Sequence, residues 1–232
     1  MKYVVFTILF AYHTLVASEQ LLIVISDDFN ATTATLQRYE LQKGRFQSVG
    51  EKIRVNLGRS GLGWSRSELE IAHRRDEPLK REGDGRAPAG IFYVTGSFGY
   101  TQSPNPNLPY IQSTPDLICV DDVNSSAYNS IVKRSEAPEA TSFELMRRSD
   151  ALYALGLTLS HNSPHTPSYG SCVFLHVEKG TNKPTAGCTS MSYDDLHTIV
   201  QWLDIRKKPL LIQVPKHYFP EVMKLLDRLK TL

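Results

Sequence analysis

The chain has 232 residues, with 22% charged and 41% hydrophobic side chains. That is enough to build an apolar core without disulfide staples, and the composition excludes a largely disordered protein. Formal net charge is +2, from 26 basic against 24 acidic residues. With no basic run of five or more, binding to nucleic acid driven by phosphate neutralisation is not expected.

Residues 1–18 read MKYVVFTILFAYHTLVAS. Lys2 gives a short positive region, Tyr3 to Ala11 is apolar, and Val16-Ala17-Ser18 places small residues at a cleavage position. This is the pattern of a secretory signal peptide, with Glu19 as the expected mature start. The apolar run is too short to span a bilayer, so the membrane is met only through a transient signal, and a periplasmic or secreted location is expected. Residues 19–232 are expected to form one domain.

Strand patterns dominate the first half. Leu21 to Ile25 is a short apolar run. Ala34 to Leu41 and Arg45 to Val49 alternate around the turn Gln42-Lys43-Gly44, and Lys52 to Leu57 alternates with period two. Gly58 to Trp64 is glycine-rich but lacks the phosphate-loop spacing and is expected to be a turn. Ile91 to Thr95, Leu117 to Val120, Leu157 to Ser160, Val173 to Val177 and Leu210 to Val214 are further strand candidates. The loop from Thr101 to Pro115 carries four prolines, and loops of this kind either border a cleft or run over the surface.

Three helices are expected. One covers Thr141 to Arg148. The second covers Ser192 to Leu203, where Ser192 and Asp195 fit a capping box and Leu196, Ile199, Val200 and Leu203 form one stripe. The third covers Glu221 to Leu229. About eight short strands with few helices predict a mainly β, β-rich α+β fold built as a sandwich or barrel.

Three cysteines, Cys119, Cys172 and Cys188, leave at least one thiol unpaired. Cys188 lies among small residues in Pro184-Thr185-Ala186-Gly187-Cys188, so a substrate could approach it. His176 ends a strand-like run twelve residues earlier and could return to it, as nucleophilic catalysis requires: the imidazole takes the thiol proton and later protonates a leaving amine. The amides of Gly187 and Cys188 could face an oxyanion. His161 and Asn162 follow another strand, and either could orient His176 or contact substrate. A zinc site on His161, His165 and His176 has no supporting ligand spacing, so no metal is expected. A serine hydrolase lacks its G-x-S-x-G elbow.

REGDGRAPAGIF (81–92), SCVFLH (171–176) and PTAGCTSM (184–191) together resemble the YkuD-type L,D-transpeptidase catalytic domain. The resemblance is strongest to a branch with segments like Gly58 to Trp64, Phe98 to Tyr100, Leu108 to Tyr110, Thr114 to Asp122 and Met146 to Arg148. It extends from about Leu21 to Pro215. It implies a β-rich L,D-transpeptidase-like sandwich or barrel and an exported enzyme acting on peptidoglycan stem peptides. Cys188 would attack the L-to-D amide, His176 would serve as base and acid, and the Gly187 and Cys188 amides would hold the oxyanion. An acceptor amine would give transpeptidation, and water would give L,D-carboxypeptidase or amidase activity. No cofactor is implied, and carbapenem acylation of Cys188 is. Thr185, Arg86, Tyr110 and Arg147 join His161 and Asn162 as candidate substrate contacts. Ala186 stands where the family motif has a histidine, and Ser190 where it often has an arginine. A non-catalytic wall-binding module is the remaining alternative on the same fold, and Cys119 with Cys172 could form a disulfide.

Overall fold

The computed structural model describes residues 18–229; the expected signal peptide lies outside them except for Ser18. The protein is mostly β. Among the described residues thirteen strands run in chain order: β1 Gln20–Ser26, β2 Thr33–Gln42, β3 Arg45–Asn56, β4 Leu62–Trp64, β5 Ala87–Gly99, β6 Tyr110–Gln112, β7 Leu117–Val120, β8 Ile131–Lys133, β9 Phe143–Leu145, β10 Leu155–Leu159, β11 Phe174–Val177, β12 Thr189–Met191 and β13 Leu210–Pro215. Two α-helices are present among the described residues, α1 Tyr193–Trp202 and α2 Phe219–Leu229. None of the described helices is long and apolar enough to cross a membrane.

Eight strands close into a barrel. They follow the order β10, β11, β12, β3, β2, β1, β13 and β5, and β5 pairs again with β10 to complete the ring. Closure removes the exposed edges that an open sheet would carry. Most neighbours are antiparallel, but β1 with β13 and β11 with β12 are parallel. The β2–β3 hairpin closes through Lys43 and Gly44, with φ of 50° and 74°. Two successive left-handed residues match the twist of the flanking strands, which is why Lys43-Gly44 works as a turn. The sequence pattern split β3 in two around Gly50; the hydrogen-bonded pairing carries one strand through, with a register shift opposite Gln37.

The interior holds Leu22, Leu36, Val55, Leu57, Ile91, Leu157, Leu175 and Leu211, each fully buried. The helix α1 adds Leu196, Ile199 and Val200 to that core. Its start is as the capping pattern predicts: the Ser192 hydroxyl accepts from the Asp195 amide at 3.2 Å. Asn105, in the proline-rich loop, donates to the carbonyls of Val200 and Leu203 at 2.7 and 2.6 Å. These are carbonyls that the end of a helix leaves without partners, so the loop serves as a clamp on α1.

The segment between β6 and β10 forms a second, three-stranded antiparallel sheet in the order β8, β7, β9. The helix expected over Thr141 to Arg148 does not form. Phe143 and Leu145 instead pair with Val120 and Ile118, and the Thr141 amide and hydroxyl both bind the Asp122 carboxylate, at 2.8 and 2.6 Å. Pairing with a distant strand overrode a weak local preference. A disulfide joins Cys119 of β7 to Cys172, just before β11, so the small sheet is bonded covalently to the barrel.

Candidate active site

Cys188 is the one free cysteine, and it is buried. It immediately precedes β12, which lies parallel to β11, so that His176 pairs with Ser190. Two neighbouring strands of a closed barrel therefore carry the thiol and the imidazole. The loop before Cys188 is held from below by a glycine turn. Thr185 donates its amide to Leu57, and its carbonyl accepts from Arg59, both at 2.9 Å. Gly58 is required there, because a Cβ would lie 2.2 Å from the Gly85 carbonyl oxygen. The glycine-rich segment read as a turn is thus the seat of the nucleophile loop.

The sulfur accepts from the Phe174 amide at 3.4 Å and donates to the Cys172 carbonyl at 3.6 Å. The His176 Nδ1 donates to the Val177 carbonyl at 2.7 Å. A carbonyl can only accept, so Nδ1 carries the proton and Nε2 is left as the basic nitrogen. Burial pushes the thiol up to about 12, and the Glu144 charge acts in the same direction. Burial likewise pulls His176 down to about 4. The resting pair is neutral: the sulfur keeps its proton, directed at a backbone carbonyl, in place of the preformed thiolate a helix terminus or imidazolium would favour.

Two clefts meet at the sulfur. The first, of about 240 Å³, is lined by Lys80, Glu82, Asp121, Glu144, Gly187 and Cys188 among others. The second, of about 200 Å³, is lined by Glu144, Tyr153, His176, Lys183, Thr185 and Cys188 among others. Ala186, Glu144 and Cys188 belong to both. A larger cleft of about 570 Å³ lies beyond Lys80, between Trp64, His73 and Tyr169. It contains neither the thiol nor His176, so its size does not mark it as the reacting centre.

The structure thus brings together Cys188, His176, Gly187 and Thr185. The Gly187 amide, expected to face an oxyanion, donates to the Thr185 hydroxyl at 3.1 Å, and that hydroxyl donates to the Cys188 carbonyl at 2.6 Å. The side chain caps its own turn, a common use of threonine, and it occupies one of the two proposed donors in the resting site.

The other candidates sit apart from both clefts. His161 is 3% exposed and packs edge-on against Phe92, with ring centroids 5.7 Å apart. Neither of its nitrogens has a hydrogen-bond partner among the described residues, and burial holds it down to about 3. Asn162 ties its own loop together through the carbonyls of Thr166 and Gly170, both at 3.0 Å. Arg86 donates to the carbonyls of Phe29 and Leu62 at 3.1 and 2.8 Å. Arg147 lies over the Tyr100 ring, 4.9 Å from its centroid, and Tyr110 donates to the Thr101 carbonyl. Each of these polar groups except the His161 ring is engaged in holding backbone.

Sequence reading passed over the residues that surround the sulfur from other elements. Tyr153 packs edge-on against His176 at 5.4 Å, and its hydroxyl donates to Glu144. Lys80 has a side chain only 4% exposed and pairs with Asp84 at 2.6 Å. Neither belongs to a motif with recognisable spacing; Lys80 opens the charged, glycine-rich run Lys80 to Gly90, whose pattern alone predicts an exposed turn, whereas the Lys80 side chain is buried. No group of three or more His, Cys, Asp or Glu side chains among the described residues could hold a metal ion.

No family model matches this chain, and no curated protein matches it. Among solved structures it is similar to that of Bdellovibrio bacteriovorus Bd1075, with a TM-score of 0.44 and 12% identity, over 94% of this chain and 55% of that one. The chain spans about half the length of that structure, and similarity at this level assigns neither family nor activity.

Proposed function

We propose that the protein is an exported cysteine acyltransferase, an L,D-transpeptidase of peptidoglycan stem peptides. One observation carries this reading: the free thiol of Cys188 forms a wall common to two clefts, one of which also holds His176. Two clefts at one thiol give an acyl donor and an acceptor amine separate approaches to the sulfur, which supports transfer through an acyl-enzyme.

In this reaction Cys188 Sγ attacks the carbonyl carbon of the L-to-D amide. Its proton passes to His176 Nε2, which stays unprotonated in the resting site because it is buried. A neutral imidazole is the form a general base must have. The His176 proton then goes to the departing amine, leaving a thioester. The acceptor amine attacks that thioester from the other side, gives its proton back to His176, and the thiol is regenerated. The Cys188 amide and a Gly187 amide released from Thr185 would stabilise the oxyanion.

The test incubates protein lacking residues 1–18 with disaccharide-tetrapeptide and identifies products by mass. Cross-linked dimer, lost in Cys188→Ala, is the expected result. Tripeptide alone would replace transpeptidation by L,D-carboxypeptidase activity. Identical product patterns from wild type and Cys188→Ala would overturn catalysis. A carbapenem adduct on Cys188 is expected as an independent sign of an acylatable thiol.

A further inference from the structure

Two backbone groups bracket the Cys188 sulfur. The Phe174 amide donates to it at 3.4 Å, and the Cys172 carbonyl accepts from it at 3.6 Å. Strand β11 begins only at Phe174, and its pairing with β10 covers Phe174 to His176. The barrel ladder therefore holds the donor and the imidazole but not the acceptor. Residues 171–173 lie outside any strand, so their conformation is set by other contacts.

That conformation is a costly one. Cys172 has a φ of 53°, in the left-handed region that residues other than glycine mostly avoid. Such a residue persists only where its surroundings impose the geometry. With residue 172 in this state, its carbonyl and the amide two residues on reach the same sulfur.

The imposing contacts come from the small sheet. In the turn between β7 and β8, Asn129 Oδ1 accepts from the Cys172 amide at 3.0 Å. Asn129 Nδ2 donates to the His161 and Asn162 carbonyls at 3.1 and 3.0 Å. An N–H must meet the oxygen and carbonyls the nitrogen, so these three bonds leave the side-chain amide one orientation. Asn129 is itself left-handed, with a φ of 59°, which asparagine tolerates, and its amide donates to the Val120 carbonyl of β7 at 2.8 Å. The neighbouring Tyr128 hydroxyl donates to Glu82, and the same carboxylate oxygen accepts from the Ser171 hydroxyl at 2.8 Å. The Cys119–Cys172 disulfide joins the two segments through a side chain. Rotation about side-chain bonds leaves the backbone at residue 172 free to turn, whereas the Asn129 bond acts on that backbone directly.

We propose that Asn129 is a positioning residue for acyl transfer at Cys188: its bond to the Cys172 amide holds the left-handed turn that seats the sulfur between the Cys172 carbonyl and the Phe174 amide. Asn129 acts on the sulfur through Cys172. The inference rests on the function proposed above in taking Cys188 as the nucleophile, and it gives the small sheet a part in aligning the thiol with His176.

The test separates seating of the sulfur from access to it. Protein lacking residues 1–18 is treated with a carbapenem, whose acylation needs sulfur, His176 and oxyanion amides in register, and separately with iodoacetamide, which needs only a reachable thiol. Cys188 adducts are counted by mass over time, and Tm is measured for each variant. Asn129→Gly keeps the left-handed turn and removes the three side-chain bonds. It should slow acylation about tenfold, the worth of one hydrogen bond, and leave alkylation within about twofold of wild type. Asn129→Asp keeps the acceptor for the Cys172 amide and loses both donors. It should lower Tm yet acylate within about threefold of wild type. Tyr128→Phe leaves Asn129 in place and cuts the tie through Glu82 to Ser171; it serves if Asn129→Gly does not fold, and should slow acylation about threefold. Unchanged acylation in Asn129→Gly, or in Tyr128→Phe where Asn129→Gly does not fold, would overturn the positioning role alone. So would acylation and alkylation falling together in every variant in step with Tm. A wild type that is not acylated would overturn both this inference and the proposed enzyme, whereas the expected Asn129 effect without any peptidoglycan product would overturn only the peptidoglycan reading.

Discussion

The barrel and the small sheet are held together by different means. The barrel surrounds a continuous apolar interior that runs from Leu21 through Leu157 to Leu226. The small sheet has a core of its own of four buried residues, Ile118, Val120, Ala137 and Ala140, and a second apolar cluster in which Cys119, Met146, Leu117 and Ile131 pack with Phe98 and Phe174 of the barrel. It is completed by polar bonds: Asp122 to Thr141, Ser125 to Glu139, Arg134 to the Ala137 and Ala140 carbonyls, and the disulfide. The comparison shows a division of labour. The barrel fixes sulfur and imidazole at adjacent strands and buries both, and the smaller sheet, packed on the barrel and bonded to it by the disulfide, brings the Glu144 carboxylate to the same clefts.

The largest expected effect comes from removing that bond. The two cysteines are 53 residues apart, and closing a loop of that size stabilises by about 4 kcal/mol on the chain-entropy account. In Cys119→Ala/Cys172→Ala the amides of the small sheet should lose hydrogen-exchange protection of that order while β1, β2 and β13 keep theirs. Equal loss in both regions would break the comparison. Next, Leu157→Ala in the barrel, where the side chain is fully buried, should lower unfolding free energy in urea by about 3 kcal/mol. Val132→Ala in the small sheet, half-buried, should cost about 1 kcal/mol or less; similar values would show that the two cores are equivalent.

The acid limb gives a smaller effect. His161 and His176 are held down from 6.5 to about 3 and about 4. The unfolded chain binds their protons first, so the stability their neutral burial allows is present above pH 6.5 and declines as pH falls toward 4. His161→Leu should remove about half of the slope contributed by these two groups between pH 6 and 4, read from urea midpoints. Because neither ring nitrogen of His161 is bonded, neutral-pH stability should stay within about 1.5 kcal/mol of wild type. An unaltered acid limb would place the proton uptake elsewhere. Smallest of all, Ser192→Ala should cost about 1 kcal/mol through loss of the α1 cap, seen as a modest fall in Tm; a neutral result would mean that core packing alone sets that helix.

Local pattern carried the barrel. Alternation and apolar runs identified β1, β2, β5, β7, β10, β11 and β13 at least in part, because a buried face imposes its period on the side chains. Helix α1 was legible from its cap and stripe. Short strands such as β4, β8 and β12 left no period, since three residues cannot display one. The Thr141 to Arg148 segment misled because its strand pairing comes from a partner more than twenty residues away. At the site, Cys188 and His176 were legible as reactive residue types next to small residues and at a strand end. His161 was legible for the same reason and lies in the interior instead.

The sequence by itself determined that the chain would be β-rich, which segment forms the principal capped helix, and that at least one cysteine would be left as a thiol. Residue type, period and odd cysteine number are local properties that survive any arrangement of the elements. Which cysteine stays free, that Glu144 and Lys80 line the same cleft as the sulfur, and that thiol and imidazole are both neutral were decided only by the folded chain. Charge state depends on burial and on neighbours through space, and closing the barrel and bonding Cys119 to Cys172 are what create those neighbours.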